Sequence, residues 1–217
     1  MWEEGDAGRR AALELCRTLE ACADAGVPIM VSHAYIGFEY ELPDETTAAI
    51  GLENFGRVVR RADELGVKLA LENTEGEEFL DILMRGFANE RSVGFCYDSG
   101  HEKCYNHGHD MLALYGDRLI VTHLNDNLGI RRFDGAAQPR DDIHLLPFDG
   151  IIDWQNVCAR LDAAGYRGIM NLELRKTNQR DRHTNALYEA MPPETYIAQA
   201  YNRACRLAAL RKLKQED

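Results

Sequence analysis

Side chains that can bind metal ions or move protons occur in this sequence where its apolar segments end. Five of them directly follow such a segment, namely His33, Glu72, Asp98, His123 and Glu173, and His101, Asn125, Asp142 and His144 lie close by in the sequence. A Glu, an Asp, a His and a second Glu form a ligand set that suits Mn²⁺, Mg²⁺, Co²⁺ or Zn²⁺. This set contains no cysteine, so it does not match a structural zinc site.

Helical and apolar segments alternate along the chain, and this alternation predicts how those side chains are positioned. The periodicity and the capping residues predict helices at residues 6–25, 44–65, 77–87, 110–115, 153–164 and 193–214. Short apolar runs predict strands at residues 28–32, 67–71, 93–97, 119–123 and 169–174, with a weak strand at 142–144. Repeated strand–helix units indicate a parallel sheet, in a TIM-type (β/α) barrel or an open doubly wound sheet. No GxGxxG motif follows a strand, so nothing supports dinucleotide binding.

Several short motifs resemble the sugar phosphate isomerase/epimerase superfamily, the xylose isomerase-like TIM barrels that also include endonuclease IV. The motifs are Leu71-Glu72-Asn73, Tyr97-Asp98-Ser99-Gly100-His101, Thr122-His123-Leu124-Asn125-Asp126, Asp142-Ile143-His144 and Leu172-Glu173, in the order that the family has. Each motif is short, but the set runs through most of the chain. The resemblance implies an α/β fold of TIM-barrel type, in which the carboxyl ends of the strands meet on one face.

The resemblance also implies a function, that of a divalent-metal-dependent sugar isomerase or epimerase. It implies that Glu72, Asp98, His123 and Glu173 bind one divalent metal ion, and that Glu72 and Glu173 are also the catalytic residues. One glutamate removes a proton from the carbon next to a carbonyl and the other returns it. The reaction passes through an enediolate, whose oxygens a cation stabilises.

A small sugar or sugar derivative is the expected substrate, held by side chains around the metal. The residues expected to contact it are His33, His101, Asn125, Asp142, His144 and Arg175. Arg175 follows Glu173 by two positions, so both point to the same side of an ideal strand, where a guanidinium could bind a carboxylate or phosphate. The family's epimerases carry an Arg shortly after the residue that corresponds to His123, whereas Arg131 is the nearest one here.

Two other functions are compatible with the same residues. An endonuclease IV-like zinc phosphodiesterase uses a larger ligand set for three zinc ions, which His33, Glu72, Asp98, His101, His123, Asp142, His144 and Glu173 match nearly completely. The other alternative is a truncated member of the family that binds a metal or a partner without catalysing a reaction. The net charge of −11 opposes a nucleic-acid partner, because such proteins carry a basic surface.

Composition excludes several further classes of protein. Hydrophobic residues make up 45% of the 217 residues, so the chain is expected to fold around a core. An apolar run of about 20 residues is missing, so a membrane is not expected as a partner. The six cysteines include no CxxC pair and are expected to be buried free thiols of a cytoplasmic protein.

The length of the chain predicts an incomplete barrel. A (β/α)8 barrel needs about 250 residues, and about six strands are recognisable in this chain, which begins with a helix. We therefore expect a single xylose isomerase-like (β/α)-barrel domain over residues 1–217 that lacks the first two βα units. An uncovered edge of a parallel sheet would expose backbone donors and core side chains, which favours a homo-oligomer.

Overall fold

The computed structural model describes residues 1–131, 137–179 and 182–212 of the chain. These residues belong to two compact units, Met1–Cys96 and Tyr97–Asp217, and the boundary between them falls inside a strand. The expectation of a single domain over residues 1–217 stays a prediction.

The first unit alternates helices with parallel strands. Its elements are α1 (Asp6–Asp24), β1 (Ile29–His33), α2 (Glu45–Leu65), β2 (Lys68–Glu72), α3 (Glu77–Gly86) and β3 (Val93–Asp98), whose last two residues belong to the second unit. β1 pairs with β2, and β2 pairs with β3, both in parallel. The register places His33 opposite Glu72, so β1 and β2 end at the same level.

The core of the first unit is formed by β2 and β3 and by residues of α1, α2 and α3. Nearly every residue of β2 and β3 is buried, as expected for parallel strands that are covered on both faces. The largest fully buried side chains of this unit are Leu19, Phe55, Leu69, Leu71, Leu80, Leu83 and Phe95. Because these strands are fixed by the core, their carboxyl ends are fixed as well.

Polar caps and glycines set the ends of α2, as the sequence predicts. The Asp44 side chain accepts a hydrogen bond from the backbone N–H of Thr47 and so caps the start of the helix. Gly66 ends the helix with a φ of 67°, a left-handed conformation that glycine adopts without strain. The chain therefore turns from α2 directly into β2.

Within the first unit, the segment before α1 packs against α2 and α3 through Trp2. The centroid of its ring lies 4.7 Å from that of Phe79 and 5.9 Å from that of Phe55, and its Nε1 donates a 2.7 Å hydrogen bond to the carbonyl of Ala34. Gly51 of α2 leaves room for this ring, because a Cβ at that position would overlap it. Trp2 thus joins α2 and α3 to the loop after β1.

The described part of the second unit adds one strand and several helices. Its elements are α4 (Ser99–Cys104), α5 (Met111–Tyr115), β4 (Leu119–His123), α6 (Trp154–Ala163), α7 (Ala186–Glu189) and α8 (Pro193–Leu210). Asp98, Asp110 and Asp153 each cap the helix that follows, since each carboxylate accepts a backbone N–H of the first turn.

The strand expected at residues 142–144 is wrong. His144 has a φ of 46°, which lies outside the extended region of the backbone. The neighbouring residue Leu145 instead forms an isolated antiparallel bridge with Asp126. Residues 142–144 are therefore irregular, and the bridge at Leu145 is their neighbour's contact with the chain after β4.

The strand expected at residues 169–174 is also wrong, and a single parallel bridge takes its place. Leu172 forms this bridge with Leu124. Ile169 is 83% exposed rather than part of the core, and its carbonyl accepts a 2.7 Å hydrogen bond from the Tyr166 hydroxyl. Local side-chain bonds therefore replace part of the ladder that a strand would form.

Helix predictions differ from the structure in two respects. α8 ends at Leu210, where Arg211 takes an extended conformation, and the predicted residues 213–214 lie outside the described residues. The pattern also fails to predict α4 and α7, because helices of six and four residues are too short to show a periodicity. Across the described ranges, no helix is both long enough and apolar enough to span a membrane.

The cysteines are free thiols, but they are not all buried. Cys96, Cys104 and Cys158 are buried, Cys16 and Cys22 are half-buried, and Cys205 on α8 is exposed. The expectation of burial is therefore wrong for Cys205, whose side chain lies on the outer face of its helix. Burial raises the pKa of the Cys158 thiol to about 11, so this thiol is unreactive at neutral pH.

Candidate metal centre

Three of the four predicted metal ligands lie together in the second unit. Asp98, His123 and Glu173 each offer one ligand atom, and these atoms lie within 4.8 Å of one another. Asp98 is the last residue of β3, His123 is the last residue of β4, and Glu173 follows the bridge at Leu172. This spacing brings the three side chains within reach of one ion.

Main-chain hydrogen bonds around Leu124 bring His123 and Glu173 together. The backbone N–H of Leu124 donates to the carbonyl of Asn171 over 2.8 Å, and the N–H of Glu173 donates to the carbonyl of Leu124 over 3.2 Å. The residue after His123 is therefore paired with the residue before Glu173. As a result, Nδ1 of His123 lies 2.8 Å from Oε2 of Glu173.

Asp98 is oriented by a donor on each of its carboxylate oxygens. Oδ1 accepts a 2.6 Å hydrogen bond from the backbone N–H of His101, and Oδ2 accepts a 2.8 Å hydrogen bond from Nδ2 of Asn125. The first of these bonds is also the N-cap of α4. The same short turn therefore caps a helix and fixes the direction of a ligand.

The donor set of this group fits a divalent cation. Two carboxylates and one imidazole, without a thiolate, suit Mn²⁺, Mg²⁺, Co²⁺ or Zn²⁺. Asp98 is fully buried, whereas the side chain of Glu173 is 44% exposed and can be reached from solvent. The group thus combines an anchored ligand with one that a substrate could contact.

A second group in the same unit consists of two imidazoles around one carboxylate. Nε2 of His101 lies 3.4 Å from Oδ1 of Asp142, and Nε2 of His144 lies 2.8 Å from Oδ2 of Asp142. These three residues also offer ligand atoms within 4.8 Å of one another. Three residues that the sequence predicted as substrate contacts therefore form a compact polar group in the structure.

Hydrogen bonding outweighs burial in this second group. Burial raises the pKa of Asp142, but the hydrogen bonds from His101 and His144 hold it well below its usual range. Burial lowers the pKa of His144, but the hydrogen bond and the charge of Asp142 raise it to about 9. Asp142 is thus an anion beside a protonated His144 at neutral pH.

In the first unit, Glu72 and His33 lie side by side at the ends of β2 and β1. Nε2 of His33 lies 3.4 Å from Oε2 of Glu72. Glu72 is 2% exposed, whereas the side chain of His33 is 43% exposed. The roles of Glu72 as a metal ligand and catalytic residue, and of His33 as a substrate contact, stay predictions.

Two residues expected to contact the substrate make contacts within the protein. Asn125 is fully buried and donates to Asp98. Nη1 of Arg175 donates a 3.4 Å hydrogen bond to the carbonyl of Asp142, and the backbone N–H of Arg175 donates to the carbonyl of His144. Their roles toward a substrate stay predictions, but both side chains also support the site.

Sequence reasoning misses Asp126 as a support of this region. Its buried carboxylate accepts hydrogen bonds from the backbone N–H groups of Asn127, Phe148 and Ile152 and from Nε1 of Trp154. Gly150 is the signal that could have indicated this role, because a Cβ there would overlap Asp126 Oδ1. Asp126 thus fastens the loop before α6 to the segment that follows β4.

Comparison with protein families assigns the chain to a class that agrees with this fold and site. Residues 1–203 match the family described as xylose isomerase-like TIM barrel. The chain therefore belongs to the xylose isomerase-like TIM barrel family, which confirms the predicted fold class and the resemblance seen in the motifs.

One curated relative shares about a third of the aligned residues. It is an uncharacterized protein, y4fM, of Sinorhizobium fredii (strain NBRC 101917 / NGR234), and it is 32% identical over 181 residues. The alignment covers 76% of this chain and 53% of the relative. The chain thus spans about half the length of this relative.

Solved structures with the same fold include proteins named as sugar epimerases. The IolI protein with a bound zinc atom matches with a TM-score of 0.74 and 20% identity, over 99% of this chain and 74% of that one. The 3-keto-D-glucoside 4-epimerase YcjR from E. coli matches with a TM-score of 0.61 and 17% identity, over 89% and 70%. An L-ribulose 3-epimerase matches with a TM-score of 0.58 and 15% identity, over 96% and 72%. At these identities the likeness shows the fold.

Proposed function

We propose that this protein is a divalent-metal-dependent sugar isomerase or epimerase that moves a proton at a carbon next to a carbonyl. The observation that carries this proposal is the group of Asp98, His123 and Glu173, whose ligand atoms lie within 4.8 Å of one another and fit one divalent ion. Membership of a family whose solved folds include sugar epimerases and a zinc-bound IolI protein supports it.

Glu173 is the proposed catalytic residue of the second unit. A bound divalent ion would polarise the carbonyl of the substrate and so make the adjacent C–H more acidic. The carboxylate of Glu173, whose side chain is partly exposed, would take that proton or return it, provided that it lies within hydrogen-bond reach. Glu72 is the proposed partner in this proton transfer and the fourth ligand, on the basis of its place in the sequence.

The second polar group is the proposed binding site for hydroxyl groups of the substrate. His101, Asp142 and His144 form a charged, hydrogen-bonded group, which suits a ligand rich in hydroxyls. The other proposed contacts are His33, Asn125 and Arg175. The proposed partner is therefore a small sugar or sugar derivative, not a nucleic acid or a membrane, and the proposed setting is a homo-oligomer in the cytoplasm.

A zinc phosphodiesterase of the endonuclease IV type is the second candidate function. The observation that favours it is that His101, Asp142 and His144 also offer ligand atoms within 4.8 Å of one another, as a further metal site would. The net charge of −11 opposes it, because a DNA-binding surface neutralises phosphates with basic residues. Metal content and substrate class separate the two candidates.

Metal analysis combined with solvent exchange tests the proposed function. Protein stripped of metal and reloaded with Mn²⁺, Mg²⁺, Co²⁺ or Zn²⁺ would be incubated in deuterium oxide with a panel of ketoses. We expect one ion per chain and incorporation of deuterium at the carbon next to the carbonyl. Three zinc ions per chain with cleavage of phosphodiesters would instead establish the second candidate. Metal binding without exchange into any ketose would indicate a member of the family that binds metal without catalysis.

A further inference from the structure

The side chain of Asn125 contacts the proposed metal ligand Asp98. Nδ2 of Asn125 donates a 2.8 Å hydrogen bond to Oδ2 of Asp98, and both residues are 0% exposed. An ionised carboxylate only accepts hydrogen bonds, so the nitrogen of the amide is the atom that faces it. The contact therefore holds one oxygen of the carboxylate in place.

Ser99 fixes the backbone of Asn125 beside Asp98. Oγ of Ser99 donates a 2.7 Å hydrogen bond to the carbonyl of Asn125 and accepts a 3.0 Å hydrogen bond from its N–H. Ser99 directly follows Asp98 and is the first residue of α4. This pair of hydrogen bonds joins the segment after β4 to the residue next to the ligand, so the backbone that carries the amide is held in place.

Gly100 leaves the space that the amide needs. A Cβ at this position would overlap Oδ1 of Asn125. Gly100 does not have a positive φ, so its backbone conformation would also be open to other residues. The glycine is therefore required by the close approach of Asn125 and not by the turn itself.

We propose that Asn125 is a positioning residue that orients Asp98 for a metal ion. The backbone N–H of His101 holds Oδ1 and Asn125 holds Oδ2, so the carboxylate cannot rotate without losing a hydrogen bond. Each oxygen has two lone pairs and can accept an ion in addition to its hydrogen bond. This inference rests on the proposed function, because it takes Asp98 to be a metal ligand.

A neutral donor suits this position because the ligand set must keep its negative charge. A Lys or Arg could also donate to Asp98, but its positive charge would repel a cation bound a few ångströms away. An amide orients the carboxylate without this repulsion. Removal of hydrogen bonds to metal ligands typically weakens metal binding about 10- to 100-fold.

Zinc titration of matched variants tests this inference. Asn125→Ala removes the donor, and Asn125→Leu removes it while keeping a branched side chain of similar shape. Asn127→Ala is the control, because Asn127 is equally buried and, among the described residues, its amide bonds to the backbone of Asp141 and Gly129 instead of to a proposed ligand. Each protein would be stripped of metal and titrated with Zn²⁺ against a chromogenic chelator, and the unfolding temperature of its metal-free form would be measured.

We expect both Asn125 variants to bind Zn²⁺ about 10- to 100-fold more weakly than the wild type. Asn127→Ala is expected to lower the unfolding temperature of the metal-free protein and to leave the zinc affinity unchanged. Should neither Asn125 variant fold, Gly100→Ala, which displaces the amide without removing it, is expected to show the same loss of affinity.

Three outcomes would overturn the inference. An unchanged zinc affinity in folded Asn125→Leu or Gly100→Ala protein would do so and leave the proposed function intact. An equal loss of affinity in Asn127→Ala would assign the effect to general destabilisation. A wild-type protein that binds none of Zn²⁺, Mn²⁺, Co²⁺ and Mg²⁺ would contradict the proposed function, and the inference with it.

Discussion

Nδ1 of His144 lies 3.0 Å from the backbone carbonyl oxygen of Glu173, while Nε2 of the same ring lies 2.8 Å from Oδ2 of Asp142. Both partners are acceptors, so His144 donates from both nitrogens and carries a positive charge. This agrees with a pKa that the charge of Asp142 raises to about 9. A proposed catalytic residue is thus held through its backbone by an imidazolium.

We predict that His144→Ala binds the same number of zinc ions as the wild type. Both ring nitrogens are already donors, so His144 would have to give up a proton and a hydrogen bond before it could bind a metal. Elemental analysis after dialysis against Zn²⁺ at pH 7 measures the number of ions per chain. The loss of one ion in the variant would favour the phosphodiesterase instead.

Glu173→Gln is expected to slow solvent exchange into a ketose about 10²- to 10⁴-fold, because an amide cannot accept the proton. Exchange rates measured by NMR in deuterium oxide would show this at saturating metal, which separates the lost base from weaker metal binding. The control is Glu194→Gln, an exposed position in the first turn of α8. A Glu173→Gln protein that exchanges as fast as this control would contradict the mechanism.

Asp126→Asn should lower the free energy of unfolding by about 2–4 kcal/mol, because half of the amide cannot accept the N–H groups that the carboxylate accepts. Urea unfolding followed by circular dichroism measures the change. Asp153→Asn provides the comparison, since Asn caps a helix as well as Asp does. Equal changes in the free energy of unfolding for the two substitutions would show that the buried carboxylate of Asp126 stabilises the fold no more than an exposed helix cap does.

Gly51→Ala tests the packing of Trp2, because two effects on the free energy of unfolding have opposite signs. Helix propensity alone would make the alanine variant more stable by about 1 kcal/mol. Overlap of the new Cβ with the Trp2 ring is expected to outweigh this and to destabilise the protein by about 1–3 kcal/mol. In a Trp2→Ala background the same substitution should become stabilising, and a thermal unfolding series of the four proteins would decide it.

Alkaline pH is expected to destabilise the region around α8 through two tyrosines. Burial raises the pKa of Tyr196 to about 12, and burial with a hydrogen bond to Asp149 raises that of Tyr188 above its usual value near 10. A raised pKa in the folded state contributes stability below pH 10 that is lost as the pH rises toward 12. Unfolding free energies measured from pH 9 to 12 should therefore fall, and less steeply in Tyr196→Phe.

The elements of the first unit could be predicted because local chemistry sets their ends. Asp44 caps α2 and Gly66 ends it, and both residues are recognisable in the sequence. The strands that end in Glu72 and Asp98 were located to within a residue, because they are short apolar runs followed by a polar side chain. The same rule located His123, which is the last residue of β4.

The failures concern features that the periodic pattern of the sequence does not contain. The apolar residues around Ile169 have the composition of a strand, but among the described residues this segment forms a single parallel bridge, that of Leu172 with Leu124, and Ile169 is exposed. In the site, residue types and strand ends indicated Asp98, His123 and Glu173. The contacts of Asn125 and Asp126 could not be predicted, because they depend on how segments distant in the sequence pack against one another.

The pairing of Leu124 with Leu172 bears on how this site can diverge among related proteins. The two hydrogen bonds of this pairing join backbone atoms only, so they need no particular side chain at either leucine, and proline at position 124 is the substitution that would remove a donor. Side chains around the pairing can therefore change in size while His123 and Glu173 keep their spacing. If the proposed function holds, related proteins can therefore differ in the sugar they prefer while the spacing of the proposed metal ligands is kept.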